Sequence, residues 1–217
     1  MTIPDSVSRF NTAFATSPLV AILRGIAPHE VEAVGAQLYA VGFRIIEVPL
    51  NSPQALLSIE RLKKSLPADT VVGAGTVLTT LSVQQVSDAG AEIIVMPHAD
   101  VNVIRAAKHR HMICVPGVVT LTEAFAALEA GADALKLFPA ELVTPTVLKA
   151  MRAVLPAAVR LLPVGGIRPG SMIEYVRAGA AGFGLGSALY APGMNAATVA
   201  QHGQEFVAAW TALNAST

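Results

Sequence analysis

The stretch MICVPGVVTLTEAFAALEAGADALKLFPAE, residues 112–141, decides the fold because it contains a complete strand, helix and strand. Residues 112–118 form a short apolar run rich in β-branched side chains. Thr120, a residue type suited to capping, opens a segment whose apolar positions recur at helical spacing. The EAGAD motif then puts Gly131 just past the apolar helix face, where a left-handed C-cap is expected, and residues 134–140 begin a second strand.

The same pattern repeats in both directions from this unit. Strand candidates fall at residues 19–25, 43–50, 70–77, 92–98, 112–118, 134–140, 160–167 and 182–190. Their starts are spaced by roughly 20 to 27 residues, the length needed for one strand, one crossover helix and two short loops in a parallel sheet. Pro28, Pro53, Asp100, Thr120, Pro145 and Pro169 mark helix starts, while Gly90, Gly131 and Gly179 mark helix ends. With no linker or low-complexity stretch to divide the chain, the expectation is an α/β protein: one (βα)8 TIM barrel over residues 1–217. A short N-terminal helix over residues 6–15 should precede it, and a C-terminal helix should cover about residues 196–213. A doubly wound open sheet is the alternative.

Composition narrows the function. The 217 residues are 53% hydrophobic and only 14% charged, with a mean hydropathy of +0.55. Fifteen basic residues balance fifteen acidic ones, so there is no broad positive field for nucleic acid or an acidic membrane. Polar residues, Gly or Pro interrupt each apolar run before the roughly 18 residues of a membrane span. Residues 1–11 show no secretory pattern. Cys114 is the sole cysteine, which leaves no internal disulfide and no CxxC site. A soluble cytoplasmic protein is expected.

In a barrel of this kind, chemistry belongs at the C-terminal ends of the strands. The sixth strand places Lys136 among Leu135, Leu137 and Phe138. If it faces inward, burial disfavours its ammonium form and prepares the amine to attack a carbonyl. If it faces outward, it reaches solvent between helices or serves as scaffolding in an ion pair. In the second strand, alternation puts Ile45, Glu47 and Pro49 on one face, with Glu47 the single acid of that run. Glu47 can act as a proton shuttle or as a buried partner of Lys136.

The seventh and eighth strands end in PVGGIRPGS and GFGLGSALY. Backbone N–H groups of Gly165, Gly166, Gly186 and Ser187 form a candidate phosphate cradle, the alternative being glycines that only permit tight turns. Arg24 after the first strand and Thr76 after the third are candidates to hold a carboxylate. Met96, Pro97 and His98 are read as wall residues. The five histidines show no metal-binding spacing with a fitting acid, so no metal site is expected.

The segments AILRGI, EVPLNSP, VGAGTVLT, CVPGVVTLTEAFAALEAGADALKLFPAE and LPVGGIRPGSM together resemble the 2-keto-3-deoxy-6-phosphogluconate and -phosphogalactonate aldolases, class I aldolases of (βα)8 fold. The likeness runs over about residues 19–190. It implies a Schiff base between Lys136 and pyruvate, with no separate cofactor, Glu47 as general acid/base, and a homotrimer. Gluconate-type members carry Arg-Thr where this chain has Asn51 and Ser52, and Thr where it has Val164. EVPLNSP and VGG look like the phosphogalactonate branch. The resemblance therefore implies a phosphorylated keto acid as substrate, 2-dehydro-3-deoxy-6-phosphogalactonate, cleaved to pyruvate and glyceraldehyde 3-phosphate. Arg24 with Thr76 is assigned to the carboxylate, the alternative being Arg24 on the phosphate end, and Pro97, Phe138 and Val164 to substrate binding. The alternatives are a gluconate-type or 4-hydroxy-2-oxoglutarate aldolase, a phosphosugar isomerase or epimerase, and a non-catalytic phosphate-binding barrel. The last two leave a lysine buried in the sixth strand unexplained.

Overall fold

A computed structural model describes residues 6–214. Helix α1 (Ser6–Thr16) leads into β1 (Leu19–Ile22), α2 (Val31–Ala40), β2 (Ile45–Pro49), α3 (Ala55–Ser65), β3 (Val71–Gly75) and α4 (Thr80–Asp88). Then come β4 (Ile93–Val95), α5 (Val101–His109), β5 (Ile113–Val115), β6 (Gly117–Val118), α6 (Leu121–Glu129) and β7 (Leu135–Leu137). The chain continues through α7 (Pro145–Arg152), β8 (Leu161–Pro163), α8 (Met172–Ala178), β9 (Phe183–Leu185) and α9 (Ala196–Asn214).

The strands pair in parallel in two runs, β5-β4-β3-β2-β1-β9 and β6-β7-β8. Two seams join the runs into a closed barrel of eight staves, which rules out the open sheet. At the first seam, β5 and β6 are one stave interrupted at Pro116. Proline has no N–H to give to the ladder, yet its carbonyl accepts from the Lys136 N–H at 2.9 Å. At the second seam, Val164 bridges Gly184, and the Ala181 N–H donates to the Leu161 carbonyl at 2.9 Å. The staves are shorter than the sequence runs because staggered barrel strands share a ladder only where neighbours overlap.

Alternation sorts the side chains into two cores. Leu19, Ala21, Ile46, Val48, Leu135 and Leu137 point outward and pack beneath the helices. Val20, Ile45, Val71, Ile93, Ile113 and Leu162 point inward, where they meet Phe10, Ala13 and Phe14 of α1. Helix α1 thus plugs one end of the barrel with aromatic rings, Phe10 and Phe14 lying 5.6 Å apart. Burying a side chain such as Phe10 contributes roughly 1.5–3 kcal/mol, and it leaves the barrel floor apolar.

The caps follow the residue types. Thr120 and Glu123 form a capping box, with the Thr120 N–H donating to Glu123 Oε2 at 2.8 Å. Asp100 Oδ1 accepts from the Asn102 and Val103 N–H groups. Gly90, Gly131 and Gly179 all have positive φ, as C-terminal stops require. Three helix starts differ from expectation. Helix α2 begins at Val31 rather than Pro28, and α3 at Ala55 rather than Pro53, because turns intervene. Pro169 opens a separate 3-10 turn, Pro169–Ser171, ahead of α8.

Candidate active site

Lys136 sits in the middle of β7 with the inward parity of Ala134, so the outward reading fails. It is 5% exposed and lines a cleft of about 250 Å³ at the C-terminal mouth of the barrel. Beneath it is a void of only about 10 Å³, walled by Phe10, Val20, Ile93, Val115 and Leu162, with no polar side chain other than Lys136 itself. A site this small and apolar offers a water no set of partners. The ammonium form therefore loses hydration without replacement, and burial pulls the pKa below its ordinary value. Glu47 opposes that shift, while the positive charge of Arg24 adds to it. The Phe138 ring centroid lies 4.3 Å from Lys136 Nζ and covers one side of the amine.

Glu47 occupies the centre of β2, paired with Ile22 on one side and Gly73 on the other. It is 2% exposed, and its Oε2 is buried with no hydrogen-bond partner among the described residues. Burial raises its pKa to about 7, against the opposing charges of Lys136 and Arg24. A carboxyl group poised there can donate or accept a proton near neutral pH. Room for it comes from Gly75 on β3, where a Cβ would overlap the carboxylate. Among the described residues, Lys136 and Glu47 form no ion pair at 4.0 Å or less, although each shifts the other's pKa. The two groups act on each other through space rather than through a direct contact.

Of the residues singled out in the sequence, Arg24, Lys136, Phe138, Val164, Gly165, Gly166, Gly186 and Ser187 line the one cleft. They come from β1, β7, β8 and β9 and their loops, a single sector of the barrel. Glu47 on β2, and Thr76 and Pro97 after β3 and β4, do not line it. The Pro97 carbonyl instead backs Gly117, where a Cβ would collide with it. Thr76 has φ 57, a left-handed conformation that is costly for a β-branched side chain and is typically stored at functional positions.

Ile22, Gly184, Tyr190, Ala191 and Pro192 also line the cleft and were not singled out. Alternation could have found Ile22 on β1 and Gly184 on β9, each two residues before a chosen position just past its strand. The Tyr190 hydroxyl is buried without a partner among the described residues. Burial, helped by the nearby negative charge of Glu30, pushes its pKa up to about 12. Among the described residues, no group of three or more His, Cys, Asp or Glu could hold a metal ion. No described helix is long and apolar enough to cross a membrane.

A primary amine stripped of hydration at the mouth of a (βα)8 barrel is the equipment of enzymes that bind carbonyl compounds covalently, and fold and site point to that class. Residues 11–204 match the family described as KDPG and KHG aldolase. The chain belongs to that family, and it is a lyase of the aldolase type. It is 46% identical over 196 residues to the probable 2-dehydro-3-deoxy-6-phosphogalactonate aldolase of Rhizobium meliloti, covering 90% of this chain and 92% of that one. A solved structure described as native KDPGal superposes with a TM-score of 0.90 at 42% identity, covering 91% of this chain and 96% of the other. The KDPG aldolase of Legionella pneumophila, solved with pyruvate captured as a covalent carbinolamine, gives a TM-score of 0.79 at 26% identity, with 97% and 98% coverage.

Proposed function

We propose that this chain, as a single barrel domain, cleaves 2-dehydro-3-deoxy-6-phosphogalactonate to pyruvate and glyceraldehyde 3-phosphate through a Schiff base on Lys136. The observation that carries this reading is the buried amine of Lys136, its pKa lowered, opening into a cleft rimmed by two glycine-rich loops. Neutral Lys136 attacks the C2 ketone to give a carbinolamine, whose hydroxyl takes a proton from the Glu47 carboxyl, directly or through a water, and leaves as water to form a protonated imine. Glu47, directly or through a water, takes the proton of the C4 hydroxyl as the C3–C4 bond breaks. The bonding electrons flow into the imine, leaving an enamine of pyruvate and releasing the aldehyde. Protonation at C3 and hydrolysis then free pyruvate and the amine.

Phe138 packs against the imine and limits water. Arg24 receives an acidic end of the substrate, and Thr76 and Pro97 stay in the proposal as rim residues on the far side of the mouth. The cradle of Gly165, Gly166, Gly186 and Ser187 takes the phosphate. The Gly186 carbonyl accepts from the Leu189 and Tyr190 N–H groups at 2.8 and 3.0 Å, making a single helical turn. The N–H groups that begin such a turn have no partner inside it. Val164 lines the cleft where gluconate-type relatives carry a threonine, and this likeness to the phosphogalactonate branch supports the galactonate epimer. The test is cleavage of both C4 epimers: the galactonate form should give the higher kcat/KM, and equal or reversed rates would transfer the assignment to the gluconate-type activity.

The proposal extends to a cytoplasmic homotrimer. Leu57, Leu78, Leu81 and Phe125 are exposed large apolar side chains, a pattern suited to burial between subunits. Light scattering should give three times the chain mass, and Leu81→Glu should lower it. A monomeric wild type would end this part of the proposal.

A further inference from the structure

Arg24 is an exposed side chain, yet its charge acts on both reacting groups, lowering the pKa of Lys136 and of Glu47. A long cation whose head wanders in water is strongly screened. Here the head is tied. Arg24 Nη1 donates to Asn51 Oδ1 at 2.8 Å, from the loop after β1 to the loop after β2. The next residue on each side repeats the stitch, with the Gly25 N–H donating to Ser52 Oγ at 2.8 Å. Ser52 is itself fixed, being buried and donating its N–H to the Pro49 carbonyl at 2.8 Å.

The chemistry of the tie matters as much as its position. Arg9, Arg44 and Arg110 pair with carboxylates, which cancel their charge. Arg24 is held instead by the carbonyl oxygen of a neutral amide, which fixes the direction of the guanidinium and leaves its charge intact. We propose that Asn51, supported by Ser52, is a positioning residue that holds the uncancelled guanidinium of Arg24 over the cleft mouth. There it favours the neutral amine and the ionised carboxyl and receives an acidic end of the substrate. This rests on the reading that Lys136 and Glu47 carry the reaction.

The experiment compares Asn51→Leu, Arg24→Gln and the double variant. Readouts are the KM for pyruvate in the condensation direction, the pH profile of kcat/KM, and borohydride trapping of pyruvate on Lys136. Asn51→Leu should raise KM by about tenfold, the scale of a hydrogen bond to a charged group. Because Arg24 depresses both pKa values, releasing it should move the pH profile to higher pH, by about half a unit or more. Arg24→Gln should do the same, and the double variant should be no worse than Arg24→Gln alone, since Asn51 acts through Arg24. A wild-type KM and pH profile in Asn51→Leu, or effects that add in full in the double variant, overturns the proposal. If Asn51→Leu does not fold, Asn51→Asp decides: it keeps the acceptor but cancels the charge, so KM should rise and the profile shift alkaline, and no change refutes the idea. Trapping in the wild type separates the two levels, because its failure removes the Lys136 chemistry, whereas success with an inert Asn51 removes only this inference.

Discussion

Lys136→Met should retain the fold, lose kcat by about 10⁴-fold or more, and no longer be modified by pyruvate and borohydride, which should attach a three-carbon unit to Lys136 in the wild type. The rate falls this far because the amine is the covalent catalyst in the proposed scheme, so its removal leaves only binding and positioning. The fold survives because Met fills the hydrocarbon path of the lysine stem above the apolar floor and ends in a group that needs no hydration. Burial lowers the folded-state pKa of Lys136, so its contribution to stability is present at high pH and is lost as pH falls through the folded value. The Met variant should therefore gain stability over the wild type as pH falls, read as a rising difference in Tm. Removing the opposing influence of Lys136 moves the Glu47 pKa further up, which lessens the cost of leaving that carboxyl without a partner. Turnover above about 1% of wild type, equivalent to a barrier change under about 3 kcal/mol, would remove Lys136 from the chemistry.

The repeat that gives the fold is written in single residues: Thr120 begins α6, Gly131 ends it, and parity in the next strand turns Lys136 inward. The barrel's seams are not written that way. Closure from β8 to β9 depends on the Val164–Gly184 bridge, and the break between β5 and β6 depends on a proline whose neighbours still read as one strand. Period-two alternation also tells inside from outside without giving the position around the barrel. For that reason Thr76 and Pro97, chosen because they follow strands, lie away from the sector between β7 and β1 that the cleft occupies. Asn51 was legible only as a departure from the gluconate-type pattern, and its tie to Arg24 was not, for a related reason. Its role is a hydrogen bond to a residue 27 positions earlier, and an asparagine in a loop reads simply as a turn residue.

Glu47→Gln should slow cleavage by about 10²- to 10⁴-fold, the range for losing a positioned proton-transfer group, while pyruvate can still be trapped on Lys136. Gln matches the carboxyl in shape, so it fits the space that Gly75 leaves and alters only the proton. With the Glu47 pKa raised to about 7, the wild-type kcat/KM should fall on the acid side of neutrality as the carboxyl protonates, and that limb should flatten in the variant. Stability provides an independent reading. A carboxyl whose folded pKa lies above its unfolded value contributes stability that is fully present below the unfolded pKa and is lost as pH rises through about 7. Gln cannot ionise, so its stability relative to the wild type should rise between about pH 4.5 and 7 and then level off, by up to roughly 3 kcal/mol. Glu47 also raises the Lys136 pKa, so losing its charge acts against that gain. Denaturant midpoints across this pH range would detect the rise. If the two proteins keep parallel stability curves and equal rates, Glu47 is an ordinary ionised side chain, and the proton shuttle must be sought elsewhere around the cleft.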